Sequence, residues 1–315
     1  MKLQALSHYQ GDMKTRFGDC ILLLDSNSLT VFDCGHEKHA KEVIGKLKST
    51  PAITEVNIVV SHNDNDHTAG VCHLLDWLKE QGRYAVTVYT HKYFEHVDEI
   101  LEKVDDGRRT RESMERALLD EFDNITTIIE TAEIYGFTTM EALEDTAVGT
   151  CVIVGPTTDQ FIEVAAQAVD SRVSDAVVGE HTEETVMNAA SIQLSGKLDD
   201  GQSFLLCGDA HPDYLERLGS YDVIQLPHHG QMADAQAIFD QLSDPYSKVF
   251  LISDNTGDGE NSGGSDELVQ YMKDRNYSPA KNTKSGVVRL PDTTVSGTRS
   301  KPQGVRLGGL DCQFR

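Results

Sequence analysis

Short apolar runs alternate with amphipathic stretches along most of this chain. FGDCILLLD (residues 17–25) and LTVFDCG (29–35) are apolar runs parted by Ser26-Asn27-Ser28, a pattern that predicts a β-hairpin. Val43, Ile44 and Leu47 recur at helical spacing within residues 39–47, and VNIVVS (56–61) has the composition of a buried strand. From Thr68 onward Val71, Leu74, Leu75 and Leu78 repeat at the helical period. The polar loop HNDNDH (62–67) therefore lies between the C-terminal end of a strand and the N-terminus of a helix. AVTVYT (85–90) and TCVIVGP (150–156) read as further strands, the second leading into a helix through Phe161, Val164 and Ala165. ASIQLSG and SFLLCGD, joined by residues 198–202, predict a second hairpin. Strands follow in YDVIQL, KVFLISD and SGVVRL, with a helix over 268–275 before the last.

Residues 93–145 interrupt this α/β rhythm. The stretch is helical in pattern, mostly acidic, and broken at Asp105-Asp106-Gly107 and Tyr135-Gly136. It predicts an inserted helical hairpin or cap, dispensable for the core. Its acidic face is first a solvated face, and second a surface for a protein partner or a gate for substrate. The tail after Pro291 (residues 291–315) reads as a ragged terminus.

Bulk composition narrows the function. The chain has 315 residues, 39% hydrophobic and 25% charged, as expected of a soluble globular protein. No run approaches a membrane span, and the first residues lack the apolar core of a secretory signal. Cys20, Cys34, Cys72, Cys151, Cys207 and Cys312 are scattered without a CxxC pair, so free thiols in a reducing cytoplasm are expected. The formal net charge of −23 argues against a protein that grips nucleic acid non-specifically through a basic face. It leaves room for a local metal site that holds a single phosphate.

The candidate chemistry sits where strands end. HNDNDH closes one strand, Gly208-Asp209 a second, and Pro227-His228-His229-Gly230 a third. Strand ends along one edge of a layered α/β sheet converge, so these clusters can meet. They offer His62, Asp64, Asp66, His67, Asp209 and one or both of His228 and His229. That is more than one tetrahedral ion needs, and it suits two ions sharing a carboxylate. His36, His39, His73, His91, His96 and His211 have no such context and read as surface or packed residues. The run GDGENSGG (257–264) lacks the alternating carboxylates of a calcium loop and reads as a loop at the rim of the site.

In this order, FGDCILLL, TVFDCG, SHNDNDHTAG, NAASIQL, FLLCGDA, VIQLPHHG and SGVVRL resemble the metallo-β-lactamase fold hydrolases. The nearest branch in motif is the hydrolase domain of the ComEC DNA-uptake proteins and their soluble relatives. The resemblance covers residues 1–290 outside the 93–145 insertion. It implies a four-layer αββα sandwich of two mixed β-sheets and two divalent metal ions, Zn²⁺ or Mn²⁺. By the same resemblance His62 and Asp64 would serve the first metal, Asp66 and His67 the second. Asp209 would bridge them, His228 would complete the second site, and His229 would contact substrate. Asp33 would orient a ligand. Asp64 stands where a His is usual in the wider family. Asn188, or a loop His181, stands where a third-motif His would be.

The expected activity is metal-dependent hydrolysis of a phosphodiester, with a nucleic acid or a small diester as substrate and Asp66 positioning the attacking water. The alternatives are a small-molecule esterase, lactonase or cyclic-nucleotide phosphodiesterase, and a regulatory or interaction protein with a structural metal.

Overall fold

In β2 (Ile21–Leu24), Ile21 and Leu23 face one core and Leu22 faces another, as the two-residue period of a strand requires. The same division runs through the molecule and produces four layers. Ile21, Leu23, Phe32, Val59, Phe204, Leu206, Val223 and Leu251 pack together between two sheets. Behind the first sheet, Leu22, Val31, Val56 and Ile58 pack on α1 (Glu37–Ser49) and α3 (Val71–Gln81) through Val43, Leu47, Leu74 and Leu78. Behind the second, Leu205, Ile224, Phe250 and Ile252 pack on α7 (Met232–Gln241) and α8 (Asp266–Asp274) through Ile238, Phe239, Leu268 and Met272. This is the αββα sandwich that the motifs led one to expect.

The structure, a computed structural model, describes residues 1–6, 18–104, 110–171, 188–253 and 265–292. Residues 105–107, His181, the 257–264 run, Cys312 and the tail from 293 lie outside the described residues. Among the described residues Cys20, Cys34, Cys72, Cys151 and Cys207 are free thiols. No described helix is long and apolar enough to cross a membrane.

Each sheet has seven strands. The first runs in the order β14 (Val288–Leu290), β1 (Lys2–Ala5), β2, β3 (Ser28–Phe32), β4 (Glu55–Val59), β5 (Ala85–Thr90), β6 (Thr138–Glu141). The second runs β13 (Lys281–Asn282), β12 (Val249–Ile252), β11 (Val223–Gln225), β10 (Ser203–Leu206), β9 (Gln193–Lys197), β8 (Cys151–Gly155), β7 (Ala147–Val148). Strands β3 to β6 are mutually parallel, as are β10 to β13, while the hairpins β2–β3 and β9–β10 are antiparallel. Parallel neighbours put their C-terminal ends on one edge, so the loops after β3, β4, β10 and β11 gather there.

The acidic segment departs from the expectation of a dispensable cap. It forms α4 (Val97–Val104), α5 (Arg111–Glu121) and α6 (Asp123–Ile134), but it then supplies β6, which extends the first sheet in parallel register with β5. Ile100, Met114, Leu118, Phe122, Ile125, Ile128 and Ala132 are buried and belong to the same core as α1 and α3. The negative composition concealed an apolar stripe at spacings of three and four: Met114 with Leu118, and Ile125 with Ile128 and Ala132.

Candidate metal centre

After β4 the chain passes Val60 and Ser61 and turns at once into α2 (Asn65–Thr68), a single helical turn. The turn folds HNDNDH back on itself, so the His62 and His67 ring centroids lie 4.0 Å apart. Both rings are buried, while the Asp64 and Asp66 side chains stay 29% and 22% exposed and line the open side. Gly18 makes this fold-back feasible. It sits at φ +66°, and a Cβ there would lie 1.6 Å from the Asp66 carbonyl oxygen.

The second sheet completes the centre. Asp209 follows β10 through Gly208, whose φ is +51° and whose Cβ would stand 2.7 Å from Ser61 Oγ. Asp209 Oδ2 lies 3.5 Å from His67 Nε2, 3.7 Å from His229 Nε2 and 3.9 Å from His62 Nε2. After β11, both His228 (φ 48°) and His229 (φ 53°) adopt left-handed backbone, and this sends their side chains apart. His229 turns inward, with Nε2 3.3 Å from Asp66 Oδ2. His228 is less deeply buried, its side chain 17% exposed. Its Nδ1 lies 2.6 Å from Asp234 Oδ2, and its backbone N–H donates to Asp209 Oδ1 at 3.1 Å.

Buried carboxylates orient the inward imidazoles. Asp33 Oδ2 accepts from His67 Nδ1 at 2.8 Å and from Ser61 Oγ at 2.7 Å, and Asp33 Oδ1 accepts from the Ser61 N–H at 2.7 Å. Ser61 Oγ in turn accepts from His62 Nδ1 at 2.9 Å. His229 Nδ1 donates to Asp19 Oδ1 at 3.0 Å and to the Ser253 carbonyl at 2.9 Å. With Nδ1 of each ring engaged behind, the three Nε2 atoms all face the same carboxylate, Asp209. All three Nε2 atoms are buried, and none has a hydrogen-bond partner. His62, His67 and Asp209 present ligand atoms within 4.8 Å of one another, as do Asp19, His67 and His229. The donor set of imidazole and carboxylate fits a divalent metal.

The electrostatics point the same way. Burial alone would lower His67 and His229, yet Asp209, joined by Asp33 at His67 and by Asp19 at His229, holds both well above the ordinary histidine range. His228 is raised against its own burial by Asp209 and Asp234. Burial would raise Asp209, but His229, His67 and His228 keep it well below the usual carboxylate range. Burial is likewise outweighed at Asp66 by His229 and His67, and at Asp64 by His62 and Asn188. The pocket demands positive charge, and a cation binding there would displace protons from the rings.

The structure thus brings His62, Asp64, Asp66, His67, Asp209 and His229 around one point. It places Asp33 behind His67, and Asn188 against Asp64, to whose Oδ2 it donates at 3.0 Å. The His228 ring is engaged with Asp234, and it is in neither group of three ligand atoms that lie within 4.8 Å of one another. Three supporting residues carried little sequence signal: Asp19, Gln225 and Asp234. The Gln225 amide bonds Asp19 Oδ2 on one side and accepts from the Cys207 and Gly208 N–H groups on the other. A glutamine inside the apolar run VIQL and an aspartate opening the run DCILLL were the available hints.

Neither a protein-family model nor a curated protein sequence matches the chain. Among solved structures it is similar to the metallo-β-lactamase fold protein YhfI from Bacillus subtilis, at 10% identity and TM-score 0.36 over 71% of this chain and 70% of that one. It is also similar to a HARLDQ-motif mutant metallo-β-lactamase of Cronobacter sakazakii, at 13% identity and TM-score 0.32 over 82% of this chain and 77% of that one. The DIM-1 metallo-β-lactamase aligns at 11% identity and TM-score 0.31 over 65% and 64%. Likeness at this level assigns no residue a role.

Proposed function

We propose that this chain is a metal-dependent hydrolase of phosphodiesters. One observation carries the reading: three buried, unpartnered imidazole nitrogens converge on a single buried carboxylate. Asp66, His67 and His229 would hold one Zn²⁺ or Mn²⁺ ion, His62 and Asp64 a second, and Asp209 would be shared. The His229 assignment follows from its inward Nε2, where the sequence resemblance favoured His228. Bound metal would supply Lewis-acid polarisation of the phosphoryl oxygens and a nucleophile at neutral pH.

The chain's own groups would do the rest. Asp66, partly exposed at the opening, accepts a hydrogen bond from the attacking water and orients it. His228, fixed by Asp234, donates to an oxygen of the substrate. Asp33 and Asp19 hold their imidazoles in the tautomer that leaves Nε2 facing the centre. The acidic helices α5 and α6 border the ligand loop, through contacts from Asn63 to Glu121 and Asp123. That negative edge favours a compact diester over a long duplex, whose phosphates it would repel.

The test is a screen of purified protein with Zn²⁺ or Mn²⁺ against bis-p-nitrophenyl phosphate, single-stranded DNA, a cyclic nucleotide and a lactone. Diester hydrolysis with one to two equivalents of bound metal, both lost in Asp209→Ala, is expected. Lactone turnover alone would move the chain to the esterase class. Full metal content in Asp209→Ala would refute the shared ligand.

A further inference from the structure

The ligand loop contains a residue, Asn63, whose amide faces away from the metal centre and into the helical segment. Its Oδ1 accepts the Ile125 N–H at 3.0 Å, and its Nδ2 donates to the Glu121 carbonyl at 3.1 Å and lies 3.4 Å from Asp123 Oδ1. Ile125 is the third residue of α6, so its N–H is one of the first-turn donors that no helical carbonyl can reach. Phe122, at the N-cap position of α6, offers no side-chain bond. Asn63 therefore caps α6 from a distant part of the chain, and the same amide takes a carbonyl at the end of α5. A reciprocal contact runs the other way. Asn124 Nδ2 donates to the Asn63 carbonyl at 2.8 Å and reaches Asn65 Oδ1 at 3.4 Å. Helix α6 is anchored at its far end as well, where Tyr135 Oη donates to Asp76 of α3 at 2.6 Å.

The backbone between His62 and Asp66 is thereby held from outside the two sheets. Asp64 lies between Asn63 and Asn65, and Asp66 follows them, its carbonyl also accepting the Asp19 N–H at 2.9 Å. We infer that Asn63 is a positioning residue of the metal centre, and that the α5–α6 corner sets the placement of Asp64 and Asp66. The inference rests on the metal-centre reading above. It makes the acidic segment part of the site, so that anything displacing α6 from the loop would loosen the metal.

The experiment measures Zn²⁺ affinity by competition with a chromophoric chelator for wild type, Asn63→Ala, Asn124→Ala, the double variant and Tyr135→Phe. Thermal unfolding of each metal-free protein is recorded in parallel. At least tenfold weaker binding is expected for Asn63→Ala and a smaller loss for Asn124→Ala. The double variant should lose less than the product of the two, because both report one clamp. Tyr135→Phe removes a hydrogen bond from the other end of the same helix and should leave affinity unchanged. If Asn63→Ala lowers the unfolding temperature while wild-type affinity persists in both asparagine variants, the residue is only structural and the inference fails. Should Asn63→Ala not fold, an unchanged affinity in Asn124→Ala overturns it. If the wild type itself binds no Zn²⁺, the metal-centre reading fails and this inference with it.

Discussion

Replacing Asp33 with Asn isolates the contribution of one buried oxygen. Asp33 has φ +59°, a conformation that Asn tolerates as well as Asp, so the backbone has no reason to move. The amide oxygen can keep the Ser61 N–H bond of 2.7 Å, but an NH₂ group then stands where Oδ2 accepted from His67 Nδ1 at 2.8 Å. Two donors cannot face each other. The imidazole relieves the conflict by moving its proton to Nε2, which turns its lone pair away from Asp209 and toward the amide. The fold then loses the two charge-assisted bonds that Oδ2 accepted, from His67 and from Ser61 Oγ, and regains a neutral one, a net cost of about 2–3 kcal/mol. The metal loses a ligand lone pair, and removing such a supporting partner typically weakens affinity ten- to hundredfold, or about 1.4–2.7 kcal/mol. Chelator competition gives the affinity, urea unfolding the stability, and the ¹⁵N shifts of the imidazole report the tautomer. A folded Asp33→Asn protein with wild-type Zn²⁺ affinity and His67 still protonated on Nδ1 would refute the reasoning.

Gly18→Ala should destabilise the chain by about 3 kcal/mol or more, or prevent folding, because it combines a left-handed φ with a collision against backbone; urea titration measures it. Metal-free protein should show a pH-dependent stability set by the centre. His67 and His229 are raised, so their contribution is full below the unfolded histidine value and fades as pH rises through their folded values. Asp66 and Asp209 are depressed, so theirs is present above the unfolded carboxylate value and lost as pH falls through the folded ones. The two together place the optimum between roughly pH 4 and 6.5, and thermal unfolding that instead rises steadily to pH 9 would contradict this. Exchanging residues 93–145 for a short linker should abolish cooperative unfolding and increase binding of a hydrophobic dye, since β6 and the apolar stripes of α4 to α6 go with it. A folded, cooperative product would show that the segment is separable after all.

Much of this was legible because the strongest signals were local. Runs such as ILLL and VNIVV announce strands by themselves, and HNDNDH packs four candidate ligands into one turn. Harder to read were features decided by backbone conformation or by partners far along the chain. Nothing in PHHG says that two successive residues take positive φ, so the sequence could not tell which histidine turns inward. Asp19 and His229 meet across most of the chain, and Gln225 acquires its meaning only where the ends of two strands approach Asp19. Asn63 looked like spacing between ligands, because the corner it caps belongs to a segment whose acidic composition hid its apolar face.

The proposed ligands come from both halves of the sandwich: His62 to His67 hang from the first sheet, and Asp209 and His229 from the second. A cation gripped by all of them would be a cross-link as well as a reagent. It would tie His67 to Asp209 and close a loop of about 140 residues, the kind of long closure that removes most entropy from an unfolded chain. Resistance to unfolding and readiness for chemistry would then rise and fall together, because the same few bonds would support both. Stripping the ion would return the two sheets to holding each other through side-chain packing and cross-sheet hydrogen bonds such as that of Gln225 to Asp19.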